Sequence, residues 1–106
     1  YEVDLGEVAI PGFVLSESPN AFALKVSGDS LEGDGIHNGD LLVVDPDAGL
    51  QVSKIYVVRL GDELCARHLH MDDGQVRLKA SNHKYEDIKV SNLDLVGRVV
   101  WHMRKM

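Results

Sequence analysis

Cysteine is almost missing from this sequence: Cys65 is the only one in 106 residues. A lone thiol rules out an intrachain disulfide and any metal site built from several cysteines, and it fits a cytoplasmic location. Long hydrophobic runs are also missing. None comes near the roughly 20 apolar residues that a membrane-crossing helix needs, so no membrane partner is expected. The opening Tyr1-Glu2-Val3-Asp4-Leu5 has no basic segment ahead of an apolar one and does not read as a signal peptide. It also lacks an initiator Met, and a fragment or a processed product is the expectation. Positive charge is scarce too, with 11 Lys+Arg against 17 Asp+Glu. Phosphate contact needs clustered cations, and only Arg104-Lys105 are adjacent. Any DNA binding by the whole protein is therefore expected from another domain.

A helical period is the last thing missing. No window of a dozen residues repeats its apolar positions every 3.6 residues, so any helix is short, and residues 47–52 offer at most one turn. What is present is a series of short alternating or apolar runs, broken every eight to twelve residues by Gly, Asp, Asn or Pro. That pattern predicts an all-β domain. The candidate strands are 1–8, 21–26, 40–44, 54–60, 63–70, 75–79, 88–90 and 95–103. Gly61-Asp62 is a two-residue hairpin connection, and Asp72-Asp73-Gly74 marks a second hairpin. Residues 11–20, with Pro, Gly, Ser and Asn around Phe13-Val14-Leu15, read as a surface loop. There is no internal repeat and no low-complexity tract, and 44% apolar residues suffice for one ordinary core.

The most informative stretch is Ser27-Gly28-Asp29-Ser30-Leu31-Glu32, with Asp40 following in Asn38-Gly39-Asp40-Leu41-Leu42-Val43-Val44-Asp45. A serine on a Gly/Asp turn just after an apolar strand (Phe22-Ala23-Leu24-Lys25-Val26) is where a fold can display a nucleophile beside backbone amides. This arrangement resembles the serine–lysine autopeptidase domain of the LexA/UmuD family, found in LexA-type and phage-type repressors. The register of the resemblance is carried by Ile55-Tyr56-Val57-Val58-Arg59-Leu60, by Leu78-Lys79-Ala80-Ser81-Asn82-His83-Lys84-Tyr85, and by the closing Leu95-Val96-Gly97-Arg98-Val99-Val100-Trp101. It covers about residues 21 to 106. Residues 1–20 then read as a remnant of the cleavage-region segment and loop.

The resemblance implies an all-β, LexA/signal-peptidase-like complex fold of twisted, partly barrel-like antiparallel sheets with little helix. It places Ser30 at the nucleophile position. At the position of the family's lysine base, in Glu63-Leu64-Cys65-Ala66-Arg67-His68-Leu69, this chain has Arg67. Lysine can act as a base because desolvation lowers its pKa, whereas a guanidinium stays protonated in proteins. Arg67 can hold Ser30, a carboxylate or a water, but it cannot take a proton from the serine. A second departure points the same way. The family cleaves a small-residue pair, and the nearest match here, Gly6-Glu7-Val8-Ala9-Ile10-Pro11-Gly12, is interrupted by Ile10 and Pro11. Ser30 lies only 21 positions after Ala9. The expectation is a retained fold with impaired self-cleavage.

Other constellations are weaker. His68 points away from Arg67 on a regular strand, so a Ser30–His68 pair is not expected. His37, His70, His83 and His102 have no ligand or triad spacing and default to exposed or packing roles. Asp29, Glu32, Asp34 and Asp40 lack the spacing of a calcium loop and read as a solvated acidic loop. Cys65 reads as a small buried hydrophobe. Gly28, Gly33, Gly35 and Gly39 read as turn formers, not a phosphate loop. No cofactor and no metal are implied.

The resemblance implies the C-terminal dimerisation domain of a LexA-type or phage-type transcriptional repressor, with the SOS response as its expected setting. It would form a homodimer partly through its C-terminal strand, with Trp101 as an anchor. It would meet DNA only through an N-terminal domain outside this chain, with an SOS-type coprotease filament as a further possible partner. The same motifs also allow a UmuD-like subunit of an error-prone DNA polymerase, which Ser27-Gly28-Asp29-Ser30 and the short C-terminus favour. An active self-cleaving serine peptidase is the third alternative.

Overall fold

The computed structural model describes residues 3–5 and 9–104. Gly6-Glu7-Val8, the ends of the first candidate strand and Lys105-Met106 lie outside them. Among the described residues one eight-stranded sheet is formed, and each of its pairs is antiparallel. Its strands are β1 (Val3–Leu5), β2 (Phe22–Val26), β3 (Leu41–Asp45), β4 (Ile55–Leu60), β5 (Glu63–Asp72), β6 (Gln75–Lys79), β7 (Ile88–Val90) and β8 (Leu95–Met103). The spatial order is β1-β2-β3-β8-β4-β5-β6-β7. β1 also comes against β5, so the sheet curls. Its terminal strands β1 and β7 are not paired with each other among the described residues, and the sheet stays open.

The curl gives the sheet two cores, and alternation along β4 and β5 assigns residues to each. Ile55, Val57, Leu64 and Ala66 face a cluster formed with Val3, Leu24, Val26, Leu31, Ile36, Leu42 and Val44. Tyr56, Val58, Cys65 and Leu69 face a second cluster with Leu78. The period of two is why consecutive residues enter opposite cores. Cys65 is buried in the second, as its sequence position led one to expect.

Two tight hairpins set the register. Gly61 has φ of +61° at the first turn position of the β4–β5 connection, the place where a type II′ turn requires glycine. At the β5–β6 turn Asp73 and Gly74 both have positive φ, the pattern of a type I′ turn.

The structure departs from the sequence reading between β1 and β2. Residues 11–20 are not all loop, because Gly12–Glu17 form a one-and-a-half-turn helix, α1. Pro11 begins it, its carbonyl accepting from the Val14 and Leu15 N–H groups. Pro19, just past Ser18, prevents continuation. Only Val14 is buried; Phe13 and Leu15 stay exposed, so the segment carries no apolar stripe to betray a helix. The turn considered at residues 47–52 is not helical.

Candidate functional site

Between β2 and β3 the chain makes a long excursion, residues 27–40, that carries Ser30. The base of the excursion is closed by backbone: Gly39 N–H donates to the Val26 carbonyl and Val26 N–H to the Asp40 carbonyl. Leu31 and Ile36 plug it into the first core. Between those plugs, Glu32–Asp34 form a single 3₁₀ turn that ends on Gly35 in the left-handed region. A hydrophobic residue at each shoulder and a short turn between them hold Ser30 in place without a long helix or strand.

The stretch 81–85, which links β6 to β7, forms the other wall. Ser81 N–H donates to the Ser30 carbonyl at 2.9 Å, and Gly33 N–H donates to the Ser81 carbonyl at 2.8 Å. Gly33 is therefore not the turn former expected of it. Its φ is not in the positive region, and a Cβ there would run into the Ser81 carbonyl. It is glycine because two backbones touch. The Asn82 amide donates to the Asp29 carbonyl, and the Tyr85 hydroxyl donates to Asp29 Oδ1 at 2.7 Å.

Arg67 enters from the middle of β5. Its Nη1 donates to Ser30 Oγ at 3.0 Å and to the Ala66 carbonyl at 2.8 Å, and both Ser30 and Arg67 are buried. The guanidinium lies 5.3 Å from the centre of the Tyr85 ring, a cation–π distance. The chain thus brings together residues 30 and 67, which the sequence singled out. It adds Tyr85 as a platform, which served in the sequence only as a landmark of register. The link from Tyr85 to Asp29 spans 56 positions, and no local pattern announces it.

His68, the next residue on β5, reaches the same excursion from the other side of the strand. Its Nε2 is 2.8 Å from Asp34 Oδ2 and its Nδ1 is 2.8 Å from the Ser53 carbonyl. Consecutive strand residues alternate sides, so Arg67 and His68 grip one loop at two points, Ser30 and Asp34.

Of the acidic residues expected to form a solvated loop, Glu32 and Asp34 are exposed and Asp29 is partly so, whereas Asp40 is buried. Asp34 is tied to His68, and Asp29 to Tyr85 and Lys84. Asp40 is buried and accepts four hydrogen bonds: from the His37 N–H, from Arg104 Nε and Nη2, and from His102 Nε2. His102, assigned only a default role from sequence, is a partner in this cluster. The Arg104 guanidinium is the main reason the Asp40 carboxyl is held well below the usual carboxylate range, with the His37 N–H and His102 adding to it. The Tyr85 hydroxyl, and then Lys84, also lower the Asp29 carboxyl. Lys84 and Arg104 are raised in turn by the carboxylates they face. Among the described residues no group of His, Cys, Asp and Glu is arranged to hold a metal ion.

Chemically, the Ser30 hydroxyl oxygen accepts a hydrogen bond from a permanent cation. Arginine donates and does not accept, so the contact can orient Ser30 Oγ and cannot remove its proton.

An open antiparallel sheet that seats one buried serine against a strand-borne cation is the setting in which the comparisons with known proteins fall. A family model for Peptidase S24-like proteins matches residues 2–100, and the chain belongs to that family. Its curated relatives include LexA repressors. That of Clostridium tetani is 32% identical over 97 residues, 92% of this chain and 48% of the relative. That of Bordetella parapertussis is 35% identical over 88 residues, 83% and 40%. That of Anaeromyxobacter dehalogenans is 30% identical over 104 residues, 93% and 46%. The chain spans just under half the length of these relatives. The all-β, LexA-like fold expected from the sequence is the one observed. No helix among the described residues is long and apolar enough to cross a membrane.

Proposed function

We propose that this chain is the C-terminal domain of a LexA-type or phage-type transcriptional repressor whose self-cleavage is impaired. Ser30 stands at the family's nucleophile position and Arg67 at the position of its lysine base. The observation that carries this reading is the 3.0 Å contact from Arg67 Nη1 to Ser30 Oγ between two buried side chains. General-base assistance is worth about 10²–10⁴ in rate, and a guanidinium supplies none of it. The exposed Ala9 and half-buried Ile10, ahead of Pro11, support the reading from the substrate side, because no pair of small residues stands there to be cut.

DNA would be met by an N-terminal domain outside this chain, and two copies would place two such domains on paired half-sites. β8 lies between β3 and β4, so its backbone is already paired, and a dimer would use its side chains. Trp101 is 45% exposed and packs edge-to-face on Phe13 of α1, itself 63% exposed, which supports that face as the contact. The family's cytoplasmic setting is part of the same proposal.

Incubating the full-length protein at alkaline pH and weighing it by mass spectrometry tests the central point. The intact mass is expected to persist. Efficient cutting near Ala9 with Arg67 in place overturns the proposal.

A further inference from the structure

The His68 ring poses a proton-counting problem that the proposed function leaves untouched. Both its nitrogens sit 2.8 Å from oxygens: Nδ1 from the Ser53 carbonyl and Nε2 from Asp34 Oδ2. A carbonyl and an ionised carboxylate only accept hydrogen bonds, and a neutral imidazole has one N–H to give. Two contacts of this length therefore require one proton more than a neutral ring and a carboxylate hold together. That proton belongs to the His68–Asp34 pair whichever member carries it.

We propose that His68 and Asp34 form a proton-operated clasp that fastens the 3₁₀ turn next to Ser30 onto β5. With the extra proton present, the ring bridges Asp34 and Ser53. When the proton leaves, one nitrogen must turn its lone pair toward an oxygen, and one contact opens. The Ser53 side is the less free to move. Ser53 N–H donates to the Leu69 carbonyl at 2.7 Å, and the Leu69 N–H donates to the Lys54 carbonyl at 3.0 Å, so the carbonyl between them is fixed against β5. Asp34 is exposed and lies at the end of a single turn. It can swing into water, and the deprotonated ring keeps its bond to Ser53.

The charged neighbours are few and can be named from each element. On β5, the His70 ring centre is 6.4 Å from that of His68. On β6, Lys79 stands opposite His68 in register and Arg77 opposite His70. These cations oppose a charge on His68, but Asp72 and Asp87 lie within 4.0 Å of them and offset their field. Lys54 follows Ser53 in the adjoining loop, and Glu32 shares the 3₁₀ turn with Asp34. Asp34 is the only carboxylate described in contact with the ring, so it is the group through which proton loss is felt.

Opening the clasp does not unfold the loop, because Leu31 and Ile36 remain plugged in the first core. It frees the backbone of residues 33–35, whose N–H groups bond to Ser81, Leu31 and Glu32. The conformational freedom of the Ser30 surroundings thereby becomes dependent on pH.

The test is hydrogen exchange and ¹⁵N-histidine spectroscopy of the full-length protein from about pH 5 to pH 8, the span over which imidazole charge ordinarily changes. The His68 signals are assigned by their loss in His68→Gln. At the acid end the ring is expected to carry two N–H groups. Once the proton is lost as pH rises, exchange at Gly33–Gly35, corrected for the intrinsic rate, should increase about fivefold, the scale of a partly exposed ion pair. In Asp34→Asn the amide can present a donor to a neutral ring, so the contact needs no extra proton and the pH dependence should vanish. A ring that stays neutral with a single tautomer across the range overturns the clasp. So does a pH-dependent loop that is unchanged in Asp34→Asn. Neither result bears on whether Ser30 is activated, so this test fails separately from the one on self-cleavage.

Discussion

Asp29 and Asp40 stand at the two ends of the Ser30 excursion, and both accept hydrogen bonds from cationic and neutral donors far away in sequence. Asp29 sits at the water's edge, bound by the Tyr85 hydroxyl and by a Lys84 side chain that is 67% exposed. Asp40 is buried beneath Arg104 and His102, with only 4% of its side chain exposed. The contact lists are similar and the environments are opposite. Water substitutes readily for a partner lost at Asp29. At Asp40 it cannot do so without opening the junction between β3 and the end of β8. The Asp29 end can therefore orient Tyr85 under Arg67 at small energetic consequence, while the Asp40 end holds the excursion to the sheet.

Removing the buried carboxylate should have the largest effect. Asp40→Ala leaves the His37 N–H and the facing His102 and Arg104 donors without their acceptor, and should cost about 3 kcal/mol or more. Chemical denaturation would read this as a lower midpoint with little change in slope.

Acid gives the next largest effect. The Asp40 carboxyl is depressed in the folded protein, so its contribution is complete above its ordinary value of 3.8 and is lost as the pH falls below that. Unfolding midpoints measured downward from neutral pH should fall below about pH 4. Asp40→Asn, which has no proton to take up there, should flatten that limb. Asp29 titrates in the same direction, but its exposure leaves it to solvent screening.

Asp29→Asn should have the smallest effect. Stability is expected to change less than for Asp40→Ala, and the difference from the unaltered protein should shrink in high salt because the Lys84 pair is exposed. An Asp29 effect as large as that of Asp40, and insensitive to salt, would show that burial is not what separates the two ends.

Much of the fold was legible because β-structure writes itself locally. The bounds of β6, β7 and β8 coincide with the candidate strands 75–79, 88–90 and 95–103. The hairpins were legible because Gly61 and Asp73-Gly74 are the residues such turns demand. α1 was not, since its two large apolar residues face solvent and only Val14 is buried. Arg67 and Ser30 could be paired in advance only through a family pattern, as 37 positions separate them. The Asp40 cluster had no such pattern to help it. His102 and Arg104 lie 62 and 64 positions downstream and meet Asp40 because β3 pairs with β8. Within an acidic loop that is otherwise exposed, the burial of Asp40 was illegible for the same reason: local composition records charge, and only the tertiary fold supplies its partners.

The proposed function requires Ser30 to be oriented by a cation and not deprotonated by a base. Treatment of the full-length protein with a fluorophosphonate at alkaline pH, followed by peptide mass spectrometry of the segment holding Ser30, tests this most directly. The unaltered protein should carry no adduct on Ser30, and Arg67→Lys should acquire one by placing an amine that can lose its proton beside the hydroxyl. A Ser30 adduct formed as readily with Arg67 as with lysine would contradict the account.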